Sequence, residues 1–342
     1  MSTVIRSPNW IGDGIMSLPA IRAYKSLFPD ERLAVLAKGY LADIYLNIPG
    51  IDEVIPIPDR WSLRSYFSRL RELRKKRFSR GILFTNSFSS ALFFRLAGVP
   101  RLAGYGRDLR GWLLHDPVPG PGRYTHHQYY YLGIVGHLAA TKISAASPAA
   151  LVVTAAEREW ADRWLAEQGI RPGTPLLAVA PAAAYGSAKA WPPARFREVI
   201  RRWGEGHPGA AVLLLGAAGE KPGVAAIADS LPGRVFNLAG SLSLRRSIAV
   251  LSRCRLFIGN DSGLMHIAAA LGVPLVAVFG PTEPGRTAPL ADRFRLLHRG
   301  ADCAPCRRRR CPTDHRCMTA IGADDVLAAS GELWADGSPG TP

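Results

Sequence analysis

Residues 256–284 read LFIGNDSGLMHIAAALGVPLVAVFGPTEP and contain a complete pattern of strand, turn, helix and strand. The first four residues form an apolar run, polar residues and a glycine follow, and apolar residues then recur at helical spacing as far as Leu271. A second apolar run, Leu275 to Phe279, ends in another turn of glycine, proline and polar residues. Such alternation predicts a parallel sheet covered by helices.

The same alternation occurs in two successive series along the 342-residue chain. The first series opens with a short strand at Thr3 to Arg6, and the second begins with LLAVA at Leu176. The sequence therefore predicts an α/β protein made of two Rossmann-like domains whose parallel sheets face a central cleft. The predicted parts are a first domain at 1–150, a second domain at 151–330, and a frayed tail rich in Gly, Pro and Ser at 331–342.

Composition narrows the class of protein. Hydrophobic residues make up 48% of the chain and charged residues 20%, which excludes wholesale disorder. The N-terminus lacks the apolar core of a signal peptide, and no stretch approaches the ~20 apolar residues of a membrane span. We therefore expect a cytoplasmic protein whose association with a membrane, if any, is peripheral.

Positive charge is concentrated in one part of the chain. The formal net charge is +16, and the stretch from Arg60 to Arg110 holds 13 Lys or Arg residues against Glu72 and Asp108. Such a field attracts nucleic acid, anionic lipid or a phosphorylated glycolipid. The alternative is a solvated, arginine-rich surface without a partner, and charge alone does not choose between these interpretations.

The segment Asn9 to Gly14, NWIGDG, follows the first strand and is predicted to be a turn before a helix at Ile15 to Leu27. The loop after a strand of a parallel sheet faces the ligand crevice, so Asp13 is placed to accept a proton from an attacking hydroxyl. Asp is also a preferred helix cap, which is the competing interpretation of Asp13.

Two further loops follow predicted strands of the second domain. Ser187 and Lys189 lie in PAAAYGSAKAW at 181–191, where a lysine can neutralise a diphosphate, although a lone loop lysine is usually just solvated. At 260–266, NDSGLMH opens a helix whose free N–H groups attract phosphate. Asp261 and Ser262 could equally be ordinary helix caps, and His266 could be a core residue.

Four of the five cysteines, Cys303, Cys306, Cys311 and Cys317, fall within 15 residues. In a cytosolic protein this clustering indicates thiols or a metal before disulfides. The spacing matches no standard zinc finger, so a bound metal and reduced structural thiols both remain open. Cys254 stands apart in an apolar context.

Several of these segments resemble one glycosyltransferase family. NWIGD near the start, TNSFSSAL at Thr85 to Leu92, Lys189 before Trp191-Pro192, and the segment from Asn260 to Pro284 are similar to the ADP-heptose:lipopolysaccharide heptosyltransferases, glycosyltransferase family 9. The similarity covers nearly the whole chain and is greatest to the heptosyltransferase II branch. It implies a GT-B fold and inverting transfer of heptose to the lipopolysaccharide inner core, with the acceptor on the first domain and ADP-heptose on the second.

The resemblance also implies roles for individual residues. Asp13 matches the proposed general base, Lys189 the residue at the donor phosphates, and Asp261 the residue at the donor sugar. The remaining expected donor-binding residues are Ser187, Ser262, Gly263, Leu264, His266 and Thr282. The expected acceptor-binding residues are Asn9, Trp10, Gly12, Asn86, Arg107 and Arg110.

The resemblance implies a phosphorylated Kdo-lipid A core as acceptor, and we expect contact with the inner leaflet of the cytoplasmic membrane and no nucleic acid partner. Because the predicted phosphate site consists of Lys189 and the helix start at Gly263 and not of a carboxylate cluster, we expect no divalent metal and no other cofactor. The nearest rival is an enzyme of the same fold that uses another nucleotide sugar or glycan. A rival of another class is a basic nucleic-acid-binding protein. That rival lacks a recognisable DNA-binding motif and aromatic residues interleaved with the basic stretch.

Overall fold

The computed structural model describes residues 1–122, 125–144, 147–229 and 231–335. Contacts within the chain divide it into two compact units, Met1–Val152 and Val153–Pro342. Each unit contains one sheet of six parallel strands with helices packed against it. The prediction of two α/β domains built on parallel sheets is confirmed.

Among its described residues, the N-terminal unit contains six strands and five α-helices. The strands are β1 (Ser2–Arg6), β2 (Arg32–Lys38), β3 (Glu53–Ile57), β4 (Arg80–Leu83), β5 (Arg101–Tyr105) and β6 (Asp116–Val118). The helices are α1 (Ile11–Leu27), α2 (Gly39–Tyr45), α3 (Leu63–Lys76), α4 (Phe88–Leu96) and α5 (His127–Leu138).

The order of these strands across the sheet is β3-β2-β1-β4-β5-β6. In the centre, Val4 of β1 lies beside Ala34 of β2 and Gly81 of β4. A side chain at Gly81 would place its Cβ 2.7 Å from both Leu102 and Phe94, so close packing of α4 on the sheet requires glycine there. The chain first builds the sheet from β1 towards β3 and then returns to the other side of β1. The winding therefore reverses between β1 and β4.

The C-terminal unit repeats this plan. Its strands are β7 (Leu176–Ala180), β8 (Ala211–Leu214), β9 (Val235–Asn237), β10 (Leu256–Asn260), β11 (Leu275–Phe279) and β12 (Phe294–His298). Its helices are α6 (Ala155–Glu167), α7 (Pro193–Gly206), α8 (Lys221–Ala228), α9 (Leu244–Leu251), α10 (Gly263–Ala270), α11 (Pro284–Thr287), α12 (Arg316–Thr319) and α13 (Ala323–Ala335).

The strands of the C-terminal sheet lie in the order β12-β11-β10-β7-β8-β9. Ile258 of β10 pairs with Val276 of β11 on one side and Val179 of β7 on the other. All residues of β7, β10 and β11 are buried, because helices cover both faces of a parallel sheet. The winding of this sheet reverses between β7 and β10.

Three local predictions are wrong. Residues 11–14 do not form a turn, because α1 begins at Ile11 and Gly12, Asp13 and Gly14 lie in its first turn. The prolines and glycines of residues 117–122, PVPGPG, predict a loop, yet Pro117 and Val118 belong to β6, which tolerates proline because it is an edge strand. The tail predicted from Gly331 begins too early, since α13 continues to Ala335 and buries Leu333. Residues 336–342 lie outside the described part.

In the described part of the chain, no helix combines the length and the apolar character needed to cross a membrane.

Candidate active site

In each unit the residues singled out by the sequence lie where the winding of the sheet reverses. Asp13 follows β1 and Asn86 follows β4, and these two strands are neighbours. In the other unit Lys189 follows β7 and Asp261 follows β10, which are also neighbours. The loops after two strands diverge at such a reversal, so a crevice opens at the carboxyl ends of the strands.

Asp13 is bonded to a histidine that the sequence did not point to. The Oδ1 atom of Asp13 lies 2.9 Å from Nδ1 of His127, the first residue of α5. Both side chains are partly exposed, 22% for Asp13 and 28% for His127. The N-cap of α1 is Trp10, and it makes no side-chain cap hydrogen bond. The competing interpretation of Asp13 as the helix cap is therefore wrong.

A buried tyrosine also contacts Asp13. Burial raises the pKa of Tyr131 well above its ordinary value, and the adjacent Asp13 carboxylate raises it further, partly through a side-chain hydrogen bond. Tyr131 therefore stays neutral and donates its O–H to the carboxylate. With His127 and Tyr131 as partners, the Asp13 carboxylate is held in one orientation while part of it remains exposed to solvent.

Arg110 has a different position from the one predicted. Its side chain is fully buried, and its guanidinium donates to the backbone carbonyls of Tyr105 and Thr85 and to Oδ1 of Asn86. Burial lowers the pKa of Arg110 to about 10, so the group stays charged at neutral pH. The prediction that Arg110 contacts acceptor phosphate is wrong, because its donors are used to hold the loops after β4 and β5.

The other predicted acceptor residues remain accessible to different degrees. Nδ2 of Asn86 lies 2.7 Å from the hydroxyl of Tyr130, and Oδ1 of Asn9 accepts a 2.8 Å hydrogen bond from Arg6. Trp10 is half exposed and Arg107 is exposed. Gly12 is partly buried in the first turn of α1. Contact of these residues with an acceptor stays a prediction.

Three loops of the C-terminal sheet converge on one carboxylate. Oδ2 of Asp261 accepts hydrogen bonds from Nζ of Lys189 at 2.6 Å and from Oγ1 of Thr282 at 2.7 Å. The Lys189 and Asp261 side chains are 14% and 6% exposed. The loops follow β7, β10 and β11, which are adjacent in the sheet. The lysine is therefore ion-paired, not merely solvated.

The start of α10 adjoins this ion pair. Ser262 is the N-cap residue, but its side chain makes no cap hydrogen bond, and its Oγ is buried without a hydrogen-bond partner among the described residues. Gly263 and Leu264 form the partly buried first turn, and His266 is buried at 4% exposure. Backbone N–H groups at a helix start are donors without intrahelical partners, and an anion can accept from them. Ser187 is exposed on the loop after β7.

The cysteine-rich loop packs against the loop that carries Lys189. The Ala188 N–H donates to the carbonyl of Arg309 at 3.1 Å, and the Tyr185 hydroxyl donates to the carbonyl of Arg307 at 2.6 Å. A Cβ on Gly186 would lie 2.3 Å from the Arg309 carbonyl oxygen, so only glycine permits this approach. The loop therefore fixes the backbone that leads to Lys189.

The five cysteines are free thiols in the structure. Cys303, Cys306, Cys311 and Cys317 line a cavity of about 120 Å³ beside Ala188. Among the described residues, no group of three His, Cys, Asp or Glu side chains is placed to hold a metal ion. Cys254 is buried, and burial raises the pKa of its thiol to about 12.

A model of glycosyltransferase family 9 (heptosyltransferase) matches residues 66–316 of the chain. The chain belongs to glycosyltransferase family 9. It is 29% identical over 308 residues to lipopolysaccharide heptosyltransferase 2 of Salmonella typhimurium, and the aligned region covers 87% of this chain and 88% of that protein. It is 28% identical over 311 residues to lipopolysaccharide heptosyltransferase 2 of Escherichia coli, with the same coverage.

Two solved structures share the fold of this chain. The chain matches E. coli ADP-heptose lipopolysaccharide heptosyltransferase II with a TM-score of 0.85 and 26% identity over 98% of this chain and 99% of that chain. A family 9 glycosyltransferase from Veillonella parvula matches with a TM-score of 0.86 and 19% identity, over 98% of this chain and 97% of that one. The resemblance to family 9 and the GT-B fold that it implied are confirmed, and this family 9 chain is a glycosyltransferase.

Two residues that shape the site, His127 and Asn260, were not predicted as site residues from the sequence. His127 lies 114 residues from Asp13 in the chain, and only the packing of α5 on α1 joins them. Asn260 is fully buried, where it accepts from the Trp191 N–H at 3.0 Å and donates to the Pro181 carbonyl at 2.8 Å. Asn260 thereby ties the loop after β7 to the loop after β10. An asparagine at the end of a buried strand was the one available signal.

Proposed function

We propose that this glycosyltransferase transfers L-glycero-D-manno-heptose from ADP-heptose to the inner core of lipopolysaccharide, as the second heptose added. The observation that carries the proposal is the junction of Lys189, Asp261 and Thr282 where the winding of the C-terminal sheet reverses. The names of the curated relatives, lipopolysaccharide heptosyltransferase 2, supply the sugar and the class of acceptor.

The donor binds at the carboxyl ends of β7, β10 and β11. The ammonium of Lys189 and the free N–H groups of α10 take the diphosphate of ADP-heptose, and the unpartnered Ser262 hydroxyl adds a donor. Asp261 accepts from hydroxyls of the heptose. A lysine charge and a helix start together stabilise the leaving ADP, so the reaction proceeds without a divalent metal or other cofactor.

Asp13 acts as the general base on the acceptor side. The acceptor hydroxyl attacks the anomeric carbon of heptose from the face opposite ADP, so the new C–O bond forms as the bond to the ADP oxygen breaks. The hydroxyl proton passes to Asp13, and the anomeric configuration inverts. His127 and Tyr131 hold the carboxylate in place, so that its remaining lone pairs face the acceptor.

The acceptor is a phosphorylated Kdo-lipid A core, and the enzyme works on the cytoplasmic face of the inner membrane. The cationic stretch from Arg60 to Arg110, with exposed Arg107, attracts the phosphate groups of this glycolipid. Asn9, Trp10, Gly12 and Asn86 contact the sugars near Asp13.

The decisive test uses two purified acceptors and mass spectrometry. Kdo-lipid A that carries one heptose and Kdo-lipid A that carries none are each incubated with ADP-heptose, and we expect a mass gain of one heptose on the first acceptor. Gain on the second acceptor alone would assign the first heptose instead. Turnover of a different nucleotide sugar, with none of ADP-heptose, would favour the rival enzyme of the same fold.

A further inference from the structure

A group of large apolar side chains is exposed on the N-terminal unit at the carboxyl end of its sheet. Leu109 is 88% exposed, Leu63 80% and Trp112 74%. Grouped exposed apolar side chains, unlike single ones, mark interaction sites. We call the whole group the apolar rim, and its members are Trp61, Leu63, Phe67, Phe88, Leu109 and Trp112.

The topology places the rim at one edge of the unit. Trp61 and Leu63 follow β3, Phe88 follows β4, and Leu109 and Trp112 follow β5. Because the carboxyl ends of parallel strands all lie on the same side of the sheet, these residues lie on the side that carries Asp13 and Asn86. Ring contacts hold aromatic members of the rim in place.

These ring contacts run between elements. The Phe88 and Trp112 ring centroids are 5.9 Å apart, and Trp61 contacts Phe93 of α4 at 5.4 Å. Phe88 and Trp112 are therefore packed against each other, and Trp61 packs on the buried Phe93, so the fold holds these three rim side chains in place.

In the loop after β5, the buried hydrogen bonds of Arg110 hold Asp108 and Leu109 in a strained backbone conformation. Leu109 has a φ of +58° and Asp108 a φ of +53°, in the left-handed region that disfavours a leucine. Arg110, which follows them, is fully buried and bonded to the carbonyls of Tyr105 and Thr85. A leucine held in this conformation and almost wholly exposed has no role in the core of the unit.

Charge determines the kind of surface that the rim fits. The exposed cations Arg60, Arg64 and Arg107 lie at the same edge, together with the acids Asp59 and Asp108. The whole N-terminal unit carries 20 Lys and Arg residues against 10 Asp and Glu. Aromatic and leucine side chains beside arginine, on a cationic unit, are the groups that enter the headgroup region of an anionic bilayer.

We propose that the apolar rim docks into an anionic phospholipid bilayer, so that the edge carrying Asp13 faces the membrane in which the acceptor is anchored. The inference rests on the proposed function, which supplies a lipid-linked acceptor. The rim inserts its apolar side chains among the lipid headgroups, and the net positive charge of the unit draws it to the surface.

The test measures partitioning onto vesicles that contain no lipopolysaccharide. The purified protein is sedimented with vesicles of phosphatidylcholine alone and of phosphatidylcholine with phosphatidylglycerol, at low and high salt. We expect binding to the anionic vesicles that salt weakens, since exposed charges are screened over about 10 Å at 0.1 M. Equal binding to both vesicle types would contradict the electrostatic part of the proposal.

The critical variant is Leu109→Asn with Trp112→Ser, since asparagine tolerates the backbone conformation of residue 109. The variant loses two apolar side chains that would be buried in the bilayer, so the partition coefficient for vesicles should fall at least about tenfold. The matched control is Leu27→Gln with Leu96→Gln, which are 41% and 42% exposed at the C-terminal ends of α1 and α4, the opposite edge. The control should lose less than about twofold, because these two leucines lie at the opposite end of the sheet and do not enter the bilayer.

Two further measurements separate the alternatives. Turnover on a deacylated, soluble acceptor should be unchanged in the rim variant, and this reading tests the proposed function without any membrane. An equal loss of vesicle binding in the control, or none in the rim variant, would overturn the docking surface even if turnover is intact. A wild-type dimer that the rim variant converts to monomers in analytical ultracentrifugation would mean that a second copy covers the rim, and would also overturn it.

Discussion

The ion pair between Lys189 and Asp261 makes opposite predictions for its two members. Lys189→Met leaves the carboxylate of Asp261, which is 6% exposed, bonded to the Thr282 hydroxyl but without the ammonium that neutralises it. Removing one member of a buried pair costs about 3–5 kcal/mol, so we expect the free energy of unfolding to fall by about 3 kcal/mol. Lys189→Met with Asp261→Asn removes both charges and should recover most of that loss.

ADP binding separates a catalytic pair from a structural one. If Lys189 holds the diphosphate, Lys189→Met loses a charge-assisted hydrogen bond worth about 1.5–3 kcal/mol, which weakens ADP about 10- to 150-fold. Asp261→Asn instead frees the ammonium for phosphate, so ADP should bind as well as before or more tightly, while heptose transfer slows.

The assay is isothermal titration calorimetry with ADP, and urea unfolding establishes that each variant is folded at the temperature used. Equal weakening of ADP by Lys189→Met and Asp261→Asn would mean that the pair only holds two loops together. Unchanged ADP affinity in Lys189→Met would remove the lysine from the donor site altogether.

Three further predictions concern other parts of the enzyme. Asp13→Asn keeps an acceptor for His127, so we expect near-native stability and normal ADP binding but a kcat lower by roughly 10²–10⁴-fold; turnover above about a tenth of wild type would exclude the base role. Arg110→Met removes donors from two carbonyls and Asn86, so urea unfolding should show a loss of about 2–4 kcal/mol. An unchanged stability would mean that these bonds do not hold the loop. Turnover should survive EDTA, and complete loss restored by magnesium would contradict the metal-free donor site.

The sequence predicted the fold where apolar runs were long and continuous. LLAVA and LVAVF are strands with the predicted starts, because helices bury both of their faces. β5, β6, β9 and β12 were not predicted. β6 is a three-residue edge strand that contains Pro117, and β12 is another edge strand whose residues are only partly buried or exposed, so neither presents a fully apolar run.

The start of α1 was predicted wrongly for a different reason. Two glycines and an aspartate at 12–14 are typical of a turn, yet they form the first helical turn. Gly14 explains part of this, since a Cβ there would lie 3.2 Å from Ile44 and 3.3 Å from the Tyr45 hydroxyl. Close packing of α1 on α2 overrides the local preference, and no local pattern records that contact.

The candidate site was predictable wherever a motif followed a strand, and not where tertiary contacts complete it. Lys189, Asp261 and Thr282 were each chosen as residues of strand-end loops, and the structure brings them together. Arg110 was taken for a surface charge because a sequence does not distinguish a buried guanidinium bonded to carbonyls from an exposed one. His127 lies in an aromatic-rich helix, where nothing local connects it to Asp13.

The central claim is that this family 9 enzyme adds a heptose from ADP-heptose to an inner core that already carries one. Mass spectrometry of the acceptor after incubation with ADP-heptose and the wild-type enzyme tests it directly, with Asp13→Asn as the matched inactive control. The account predicts a product heavier by one heptose with the wild type and little or none with the variant. No product from the mono-heptosylated acceptor, under conditions where the enzyme binds ADP, would contradict it.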